Sequence, residues 1–183
     1  METKEQARQA VKTAALALRD GYIARSNAGI MKRVLSLPEL SEAGRVFAYW
    51  SVEREPDTHG ILAAVTALGK QVALPRTAGG GKMTFASCAG GLLPGRFGIP
   101  EPTGEDVLSP QPGDVMLVPA LCADRLGYRL GRGGGYYDRY LAAHPVFSLC
   151  LCREALLREN LPREWNDLPV SAVITEEQVL RLK

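Results

Sequence analysis

The sequence predicts an α/β protein with one central sheet and helices on both of its faces. Short apolar segments typical of buried strands alternate along the chain with longer segments in which apolar residues recur at helical spacing. The connections are short, and no linker rich in Pro, Gly or Ser divides the 183 residues. This length suits one domain with a sizeable core, so we expect a single domain over residues 1–183.

Three helices and three strands are predicted in the first half of the chain. The first helix follows Thr3, which has capping-box spacing to Gln6, and carries an apolar stripe. The second helix begins after Ser26, and Thr58 is the expected N-terminal cap of the third, which ends before Gly69. The expected bounds are helices over 4–19, 27–35 and 59–68 and strands over 45–50, 71–75 and 82–86.

The second half of the chain begins with a long segment rich in Gly and Pro, which predicts an ordered surface loop. A buried strand, a connector, a glycine-rich turn and a helix follow in that order. Two apolar segments near the C-terminus predict two more strands. The expected bounds are a loop over 89–113, a strand over 114–118, a connector over 119–128, a helix over 134–143 and strands over 146–152 and 171–175.

Composition narrows the class of protein. The fractions of hydrophobic residues, 46%, and charged residues, 23%, are those of a soluble globular domain, and no apolar run approaches a membrane span of about 20 residues. The N-terminus is polar, which argues against a secretory signal and predicts a cytoplasmic protein. A formal charge of +2 is too small to indicate nucleic acid as a partner.

The four cysteines have no C-x-x-C spacing, which argues against a zinc site. Cys150 and Cys152 lie two residues apart in a predicted strand, so they share one face of it. We expect both to be small, reduced core residues, as is usual in the cytosol.

The segment Arg129–Leu141 carries the strongest functional signal in the chain. It reads RLGRGGGYYDRYL and joins the predicted strand over 114–118 to a helix. A glycine turn at a helix N-terminus presents backbone N–H groups to an anion, and the helix adds about half a positive charge there. Arg129 and Arg132 carry guanidinium groups suited to phosphate oxygens. The pattern predicts a phosphate-binding loop.

Asp138 stands in the first turn of that helix, where a carboxylate would repel a bound phosphate. A divalent cation between the two removes the repulsion, and Mg²⁺ typically takes one or two carboxylates together with phosphate oxygens. The loop matches neither the P-loop pattern nor the dinucleotide pattern, which would require glycine in place of Tyr136. The alternative is a purely structural turn with solvated arginines.

The residues around this loop resemble a known family. Val118-Pro119-Ala120-Leu121, Asp124, Gly127 and the run Arg129–Asp138 are similar to the signature of 5-formyltetrahydrofolate cyclo-ligases, also called 5,10-methenyltetrahydrofolate synthetases. The resemblance implies a three-layer α/β/α fold of the NagB/RpiA/CoA transferase-like type, with a mostly parallel, mixed central sheet. It also implies ATP- and Mg²⁺-dependent cyclisation of 5-formyltetrahydrofolate to 5,10-methenyltetrahydrofolate through a phosphorylated formyl group, with release of ADP and phosphate.

The resemblance also implies roles for individual residues. Asp138 and Asp167 would bind Mg²⁺, and the catalytic residues would be Arg132, Tyr136 and Lys4. ATP would be bound by Lys4, Arg8, Arg129, Leu130, Gly131, Arg132, Gly133, Gly134, Gly135, Tyr136 and Tyr137. The folate would be bound by Arg8, Trp50, Glu55, Arg132, Gly133, Gly134, Gly135 and Tyr136.

Several of these residues have ordinary structural interpretations as well. Lys4 and Arg8 lie four apart and share one face of a helix, which could be a solvated face. Trp50 could be a core residue, Glu53 competes with Glu55 for the pterin, and Asp167 could belong to a turn. The chain departs from the family pattern at Ala123, Asn166 and Ser171, where phenylalanine, histidine and an acidic residue are common.

The competing hypothesis is a non-catalytic module of the same fold that binds nucleotide or folate. Such a module would be expected to lack Lys4, Arg8 or the metal-binding aspartates, all of which this chain retains. RNA binding through Arg132-Gly133-Gly134 has little support from one triplet in a chain of near-neutral charge. We therefore expect small-molecule substrates, including folates with a polyglutamate tail, no nucleic acid, no membrane partner and a monomer.

Overall fold

A mixed sheet forms the centre of the protein in the computed structural model, which describes residues 2–78, 81–95, 98–104 and 106–182. The helices are α1 (Lys4–Ala17), α2 (Asp20–Leu35), α3 (Pro38–Glu42), α4 (His59–Ala67) and α5 (Tyr136–Ala143). The strands are β1 (Arg45–Phe47), β2 (Gln71–Thr77), β3 (Met83–Ser87), β4 (Leu92–Pro94), β5 (Pro100–Pro102), β6 (Val107–Leu108), β7 (Val115–Val118), β8 (Cys122–Ala123), β9 (Arg129–Leu130), β10 (Phe147–Leu151), β11 (Ala172–Ile174) and β12 (Val179–Arg181).

Across the described residues, eight strands pair in the order β12-β11-β10-β7-β1-β2-β3-β6. The five strands β2, β1, β7, β10 and β11 run parallel, and the outer strands β12, β3 and β6 pair antiparallel. In register, Val46 of β1 lies between Val72 of β2 and Val115 of β7. The expected mostly parallel, mixed sheet is confirmed.

The sheet divides the core into two halves, because successive side chains of each strand point to opposite faces. Phe47, Met116 and Cys150 pack with α1 and α5 on one face. Their neighbours in the strands, such as Val46 and Leu149, pack with α2, α3 and α4 on the other face. This confirms the three-layer arrangement, and the shared face and burial of Cys150 and Cys152 are confirmed with it.

The order of the strands creates a switch point between β1 and β7. The chain leaves β1 towards β2 on one side, whereas β7, β10 and β11 continue on the other side. In sheets of this kind a crevice forms where the order reverses, outside the carboxyl ends of the strands. The segment after β1 and the glycine-rich loop that follows β7 along the chain therefore meet at this crevice.

The N-terminal end of α2 differs from the prediction. The helix begins at Asp20, seven residues before the predicted start at residue 27, which follows Ser26. Ser26 is fully buried inside the helix and donates to Glu176 Oε2 at 2.9 Å. A polar residue in a helix interior resembles a cap in sequence, and only the tertiary contact with Glu176 shows otherwise.

Thr58 occupies the N-cap position of α4 as predicted, but its side chain does not cap the helix. The Thr58 hydroxyl donates to the carbonyl of Tyr49 and accepts from the Ser51 amide instead. The carboxylate of Asp57 accepts from the amides of His59 and Gly60 in its place. Thr58 therefore fixes the segment that follows β1, and Asp57 supplies the capping oxygens.

Several short elements were absent from the sequence prediction. The predicted loop over 89–113 contains β4, β5 and β6, the connector over 119–128 contains β8, and β9 opens the glycine-rich segment. The prediction also omitted α3 and β12, and it extended β1 three residues too far, to Trp50. Elements of two to five residues carry too little periodicity to be recognised, since their pairing partners lie far away in sequence.

The capping box of α1 is present as predicted. The Thr3 hydroxyl accepts from the Gln6 amide at 3.2 Å, and Gln6 Oε1 accepts from the Thr3 amide at 2.8 Å. Thr3→Ala is expected to lower the free energy of unfolding by about 1 kcal/mol, because the first amides of α1 lose an acceptor. Urea denaturation checks this, with Thr66→Ala in the last turn of α4 as a control that removes no N-terminal cap; equal losses would contradict it.

Among the described residues, no helix has the length and apolar character needed to cross a membrane.

Candidate active site

The glycine-rich loop Gly131–Gly135 lies between β9 and α5. Gly133 and Gly135 adopt φ of 101° and 65°, a region that favours glycine. A Cβ at Gly134 would lie 2.8 Å from the ring of Tyr136, so close packing against this ring favours glycine at position 134. Helix α5 begins at Tyr136 rather than at the predicted residue 134, because the last two glycines complete the turn.

Arg132 connects this loop to the segment that follows β1. Its Nη2 lies 3.1 Å from Glu53 Oε2 and 3.2 Å from Glu55 Oε1. The Arg132 side chain is half-exposed, whereas that of Glu55 is only 9% exposed. The predicted phosphate-binding arginine and the predicted pterin-binding carboxylate therefore belong to one site, although 77 residues separate them.

The carboxyl group of Glu55 is held in a partly buried position. Its Oε2 accepts from the Val52 amide at 3.0 Å, within a turn in which Glu53 adopts a φ of 54°. Burial raises the pKa of the Glu55 carboxyl above its usual value, and the Val52 amide and Arg132 oppose that rise. Of the two glutamates that the sequence left in competition, Glu55 is the enclosed one and Glu53 the exposed one.

Two buried tyrosine hydroxyls interact electrostatically with the Glu55 carboxylate. Neither the Tyr49 hydroxyl nor the Tyr137 hydroxyl has a hydrogen-bond partner among the described residues. Burial raises the pKa of both phenols, and the Glu55 carboxylate adds to the rise. A buried hydroxyl without a partner is rare and marks a place for a further polar group. Tyr49 was missed by the sequence analysis, because it looks like an ordinary strand residue.

Lys4 and Arg8 project from α1 towards the site, as their predicted common face requires. Lys4 Nζ lies 2.7 Å from Asp167 Oδ1 and 3.2 Å from Glu164 Oε2. Arg8 Nε donates to the carbonyl of Gly131 at 3.0 Å, and its guanidinium lies beside Gly133. Helix α1 therefore contacts both the glycine-rich loop and the segment that carries Asp167.

Asp138 contacts the segment that carries Asp167 through the neighbouring residue, Leu168. Its Oδ1 accepts from Arg129 Nη2 at 3.0 Å and from the Leu168 amide at 3.3 Å. The Arg129 side chain is only 4% exposed and also donates to the Leu168 carbonyl. Arg129 therefore orients Asp138 from within the protein, and its predicted contact with phosphate stays a prediction. The side chain of Leu130 is buried in the core next to it.

The two predicted metal ligands are joined through the backbone, since Leu168, whose amide binds Asp138, directly follows Asp167. Within the described residues, no three side chains of His, Cys, Asp or Glu cluster in a way that could hold a metal ion. Magnesium needs only one or two carboxylates when phosphate oxygens complete its coordination. Asp138 and Asp167 fit that requirement, each now balanced by a basic side chain.

Trp50 is half-buried and packs against the core on the α4 face of the sheet. Its ring lies 4.2 Å from the ring of His59, centroid to centroid. Core packing is therefore part of its role, and its predicted contact with folate stays a prediction. His144 follows the last residue of α5, and its ring lies 4.5 Å from that of Tyr140, centroid to centroid.

A prediction on stability follows from the raised pKa of Glu55. The folded protein binds this proton more tightly than the unfolded chain, so the contribution of Glu55 to stability falls as pH rises through the unfolded and then the folded pKa. Glutamine is neutral throughout. Glu55→Gln is therefore expected to gain stability relative to the parent protein as pH rises above about 4, the pKa of a glutamate in the unfolded chain.

Urea denaturation at several pH values measures this difference. Glu53→Gln is the matched control, because it removes the exposed carboxylate partner of Arg132. A stability difference between Glu55→Gln and the parent protein that stays constant with pH would contradict the prediction.

Comparisons with known proteins identify the family of this chain. The model of the 5-formyltetrahydrofolate cyclo-ligase family matches residues 1–176 of this chain. A 5-formyltetrahydrofolate cyclo-ligase of Mycolicibacterium smegmatis is 36% identical over 78% of this chain and 79% of its own. The enzyme of that name from Escherichia coli is 31% identical over 80% and 86%.

Solved structures agree as well. The NMR structure of Aquifex aeolicus 5,10-methenyltetrahydrofolate synthetase has a TM-score of 0.87 and 30% identity, covering 98% of this chain and 93% of its own. A synthetase of the same name from Mycoplasma pneumoniae, 16% identical with a TM-score of 0.74, shares the fold. From the match over residues 1–176 and these relatives, the chain belongs to the 5-formyltetrahydrofolate cyclo-ligase family of enzymes.

Proposed function

We propose that this protein catalyses the ATP- and Mg²⁺-dependent cyclisation of 5-formyltetrahydrofolate to 5,10-methenyltetrahydrofolate. The observation that carries the proposal is the contact of Arg132 with Glu55. This contact places the glycine-rich loop, which is suited to bind phosphate, next to the partly buried Glu55 carboxylate. That carboxylate is suited to accept hydrogen bonds from the N–H groups of a pterin. A phosphoryl donor and a folate could bind side by side there, as a transfer between them requires.

In the proposed reaction the formyl oxygen on N5 attacks the γ-phosphorus of ATP, and ADP leaves. N10 then adds to the formyl carbon and loses its proton. The phosphate departs with the former formyl oxygen, and the methenyl bridge remains. Atoms and charge balance without a covalent intermediate on the enzyme, so the protein has to supply position and charge rather than a nucleophile.

The side chains of the site match these tasks. The amides of Gly131–Gly135 would bind phosphate oxygens at the N-terminus of α5. Arg132, with Lys4 and Arg8 from α1, would offset the charge that develops on the transferred phosphoryl group. Tyr136 would close the site over the loop, with its ring against Gly134. Asp138 and Asp167 would hold Mg²⁺, which when bound neutralises phosphate charge.

The decisive experiment supplies purified protein with ATP, Mg²⁺ and 5-formyltetrahydrofolate and follows the near-ultraviolet absorbance of the methenyl product. The proposal requires ATP-dependent growth of that band together with stoichiometric ADP. Folded protein that binds ATP or folate without forming the band would instead identify the non-catalytic module. The expected monomer and cytoplasmic location stay predictions.

A further inference from the structure

Arg153 is the largest buried charged residue outside the groups used so far. It follows β10, at the carboxyl edge of the sheet, and only 1% of its surface is exposed. No carboxylate forms an ion pair with it in the part of the chain that the structure describes. Burial of a cation is costly and lowers the pKa of Arg153, while Tyr22 and the Glu176 carboxylate, which forms no ion pair with it, oppose the shift. The groups that accept hydrogen bonds from Arg153 therefore indicate its role.

Arg153 links the segment that carries Glu55 to α2, with two hydrogen bonds to that segment and two to α2, one of them to the Ile23 carbonyl at 3.5 Å. Its Nη2 donates to the backbone carbonyl of Glu55 at 2.9 Å, and its Nε donates to the carbonyl of Arg54 at 3.2 Å. Its Nη1 donates to Asn27 Oδ1 of α2 at 2.9 Å. The same Asn27 oxygen accepts from the Asp57 amide at 3.2 Å. Together, Arg153 and Asn27 fix three backbone groups on both sides of Glu55.

The segment needs this support because its local conformation is unfavourable. Glu53 adopts a φ of 54°, in the left-handed region that is unfavourable for a residue other than glycine. The Glu55 carboxyl, which burial makes less acidic, must also face Arg132. The contacts within the turn are the Val52 amide to the Glu55 carboxylate and the Glu55 amide to the Val52 carbonyl. These contacts shape the turn but do not fix it relative to the sheet.

We propose that Arg153 and Asn27 are positioning residues for folate binding. Together they hold the Glu55 carboxylate where it contacts Arg132 of the glycine-rich loop. The proposal rests on the proposed function, in which Glu55 binds the pterin. Arg153 reaches the substrate only through the backbone of residues 54–57. Loss of the pair is therefore expected to affect folate binding and to leave ATP binding, which depends on the loop and α1, unchanged.

The test uses the full-length protein and the absorbance assay. Arg153→Met and Asn27→Leu are each expected to raise the KM for 5-formyltetrahydrofolate roughly tenfold, with the KM for ATP unchanged. Asn27→Asp keeps both acceptor bonds and is expected to retain the parental folate KM. Arg45→Met is the matched control: it removes an arginine paired with Asp114 at the opposite, amino end of the sheet, and should leave both KM values unchanged.

Amide hydrogen exchange supplies a readout that does not depend on turnover. Residues 52–57 are expected to exchange faster in Arg153→Met and Asn27→Leu than in the parent or in Arg45→Met. Unchanged protection of these amides, or faster exchange with an unchanged folate KM, would overturn the proposal. If Arg153→Met fails to fold, Asn27→Leu decides the matter alone. An inactive parent protein would refute the proposed function, whereas the exchange data would still test the Arg153–Asn27 pair.

Discussion

Arg132→Gln is expected to lower kcat roughly 10³-fold, with a folded structure retained. The side chain is half-exposed, and within the described residues its ion pairs are with Glu53 and Glu55, so its loss leaves the core untouched. In the proposed reaction Arg132 faces the phosphoryl group in transit, where positive charge acts mainly on the transition state. Single-turnover absorbance measurements at saturating ATP and folate check the effect.

Arg132→Lys is the informative control for this prediction. Lysine keeps the charge but cannot donate from two nitrogens in one plane, so partial activity is expected. A variant Arg132→Gln with near-parental kcat would remove Arg132 from the catalytic residues. A rise in KM for folate alone would assign it to holding Glu55.

Asp138→Asn is expected to lower turnover roughly 10²-fold, equivalent to ~3 kcal/mol of transition-state stabilisation. Asparagine keeps the size of the side chain and an acceptor for Arg129 and the Leu168 amide, but loses the charge that a magnesium ion requires. The concentration of Mg²⁺ that gives half-maximal activity should rise in parallel. Steady-state assays over a series of Mg²⁺ concentrations measure both effects.

Asp138→Asn also weakens an ion pair with a buried arginine, so its stability has to be measured separately. Asp114→Asn is the matched control, because Asp114 likewise pairs with an arginine, Arg45, and accepts a backbone amide. Both variants should lose comparable stability in urea, and only Asp138→Asn should lose activity. Parental turnover and Mg²⁺ dependence in Asp138→Asn would exclude Asp138 from the metal site.

The basic residues predicted to bind substrates have internal partners in this structure. Lys4 pairs with Asp167, Arg129 with Asp138, and Arg132 with Glu55. These pairs balance charges that would otherwise be costly in a partly enclosed site. Binding of ATP, Mg²⁺ and folate in the proposed manner would exchange some of these internal partners for ligand atoms. The affinity for substrates then depends on the difference in free energy between the ion pairs to ligand atoms and the ion pairs within the protein that they replace.

Much of the site could be predicted from local sequence. The run from Arg129 to Asp138 combines glycines, arginines and a helix start in a short segment, and these predict an anion-binding loop without reference to distant contacts. The Thr3–Gln6 capping box and the common face of Lys4 and Arg8 are likewise local, because helix geometry alone sets which residues are neighbours. The predicted fold class followed from alternating periodicities.

Other features required the tertiary structure. The choice of Glu55 as the enclosed carboxylate depends on Arg132, 77 residues away, and the support of its turn depends on Arg153 and Asn27 from two other elements. The interior position of Ser26 in α2 depends on Glu176, which accepts from its buried hydroxyl. In each case the deciding contact joins residues far apart in sequence.

The sequence by itself determined the α/β class, the glycine-rich loop and the chemical types of the side chains around it, because backbone geometry and periodicity are local properties. Only the tertiary structure decided the strand order with its switch point between β1 and β7, and with it which carboxylate meets which arginine. The physical reason is that the pairing of strands and the burial of charged groups depend on the packing of the whole chain.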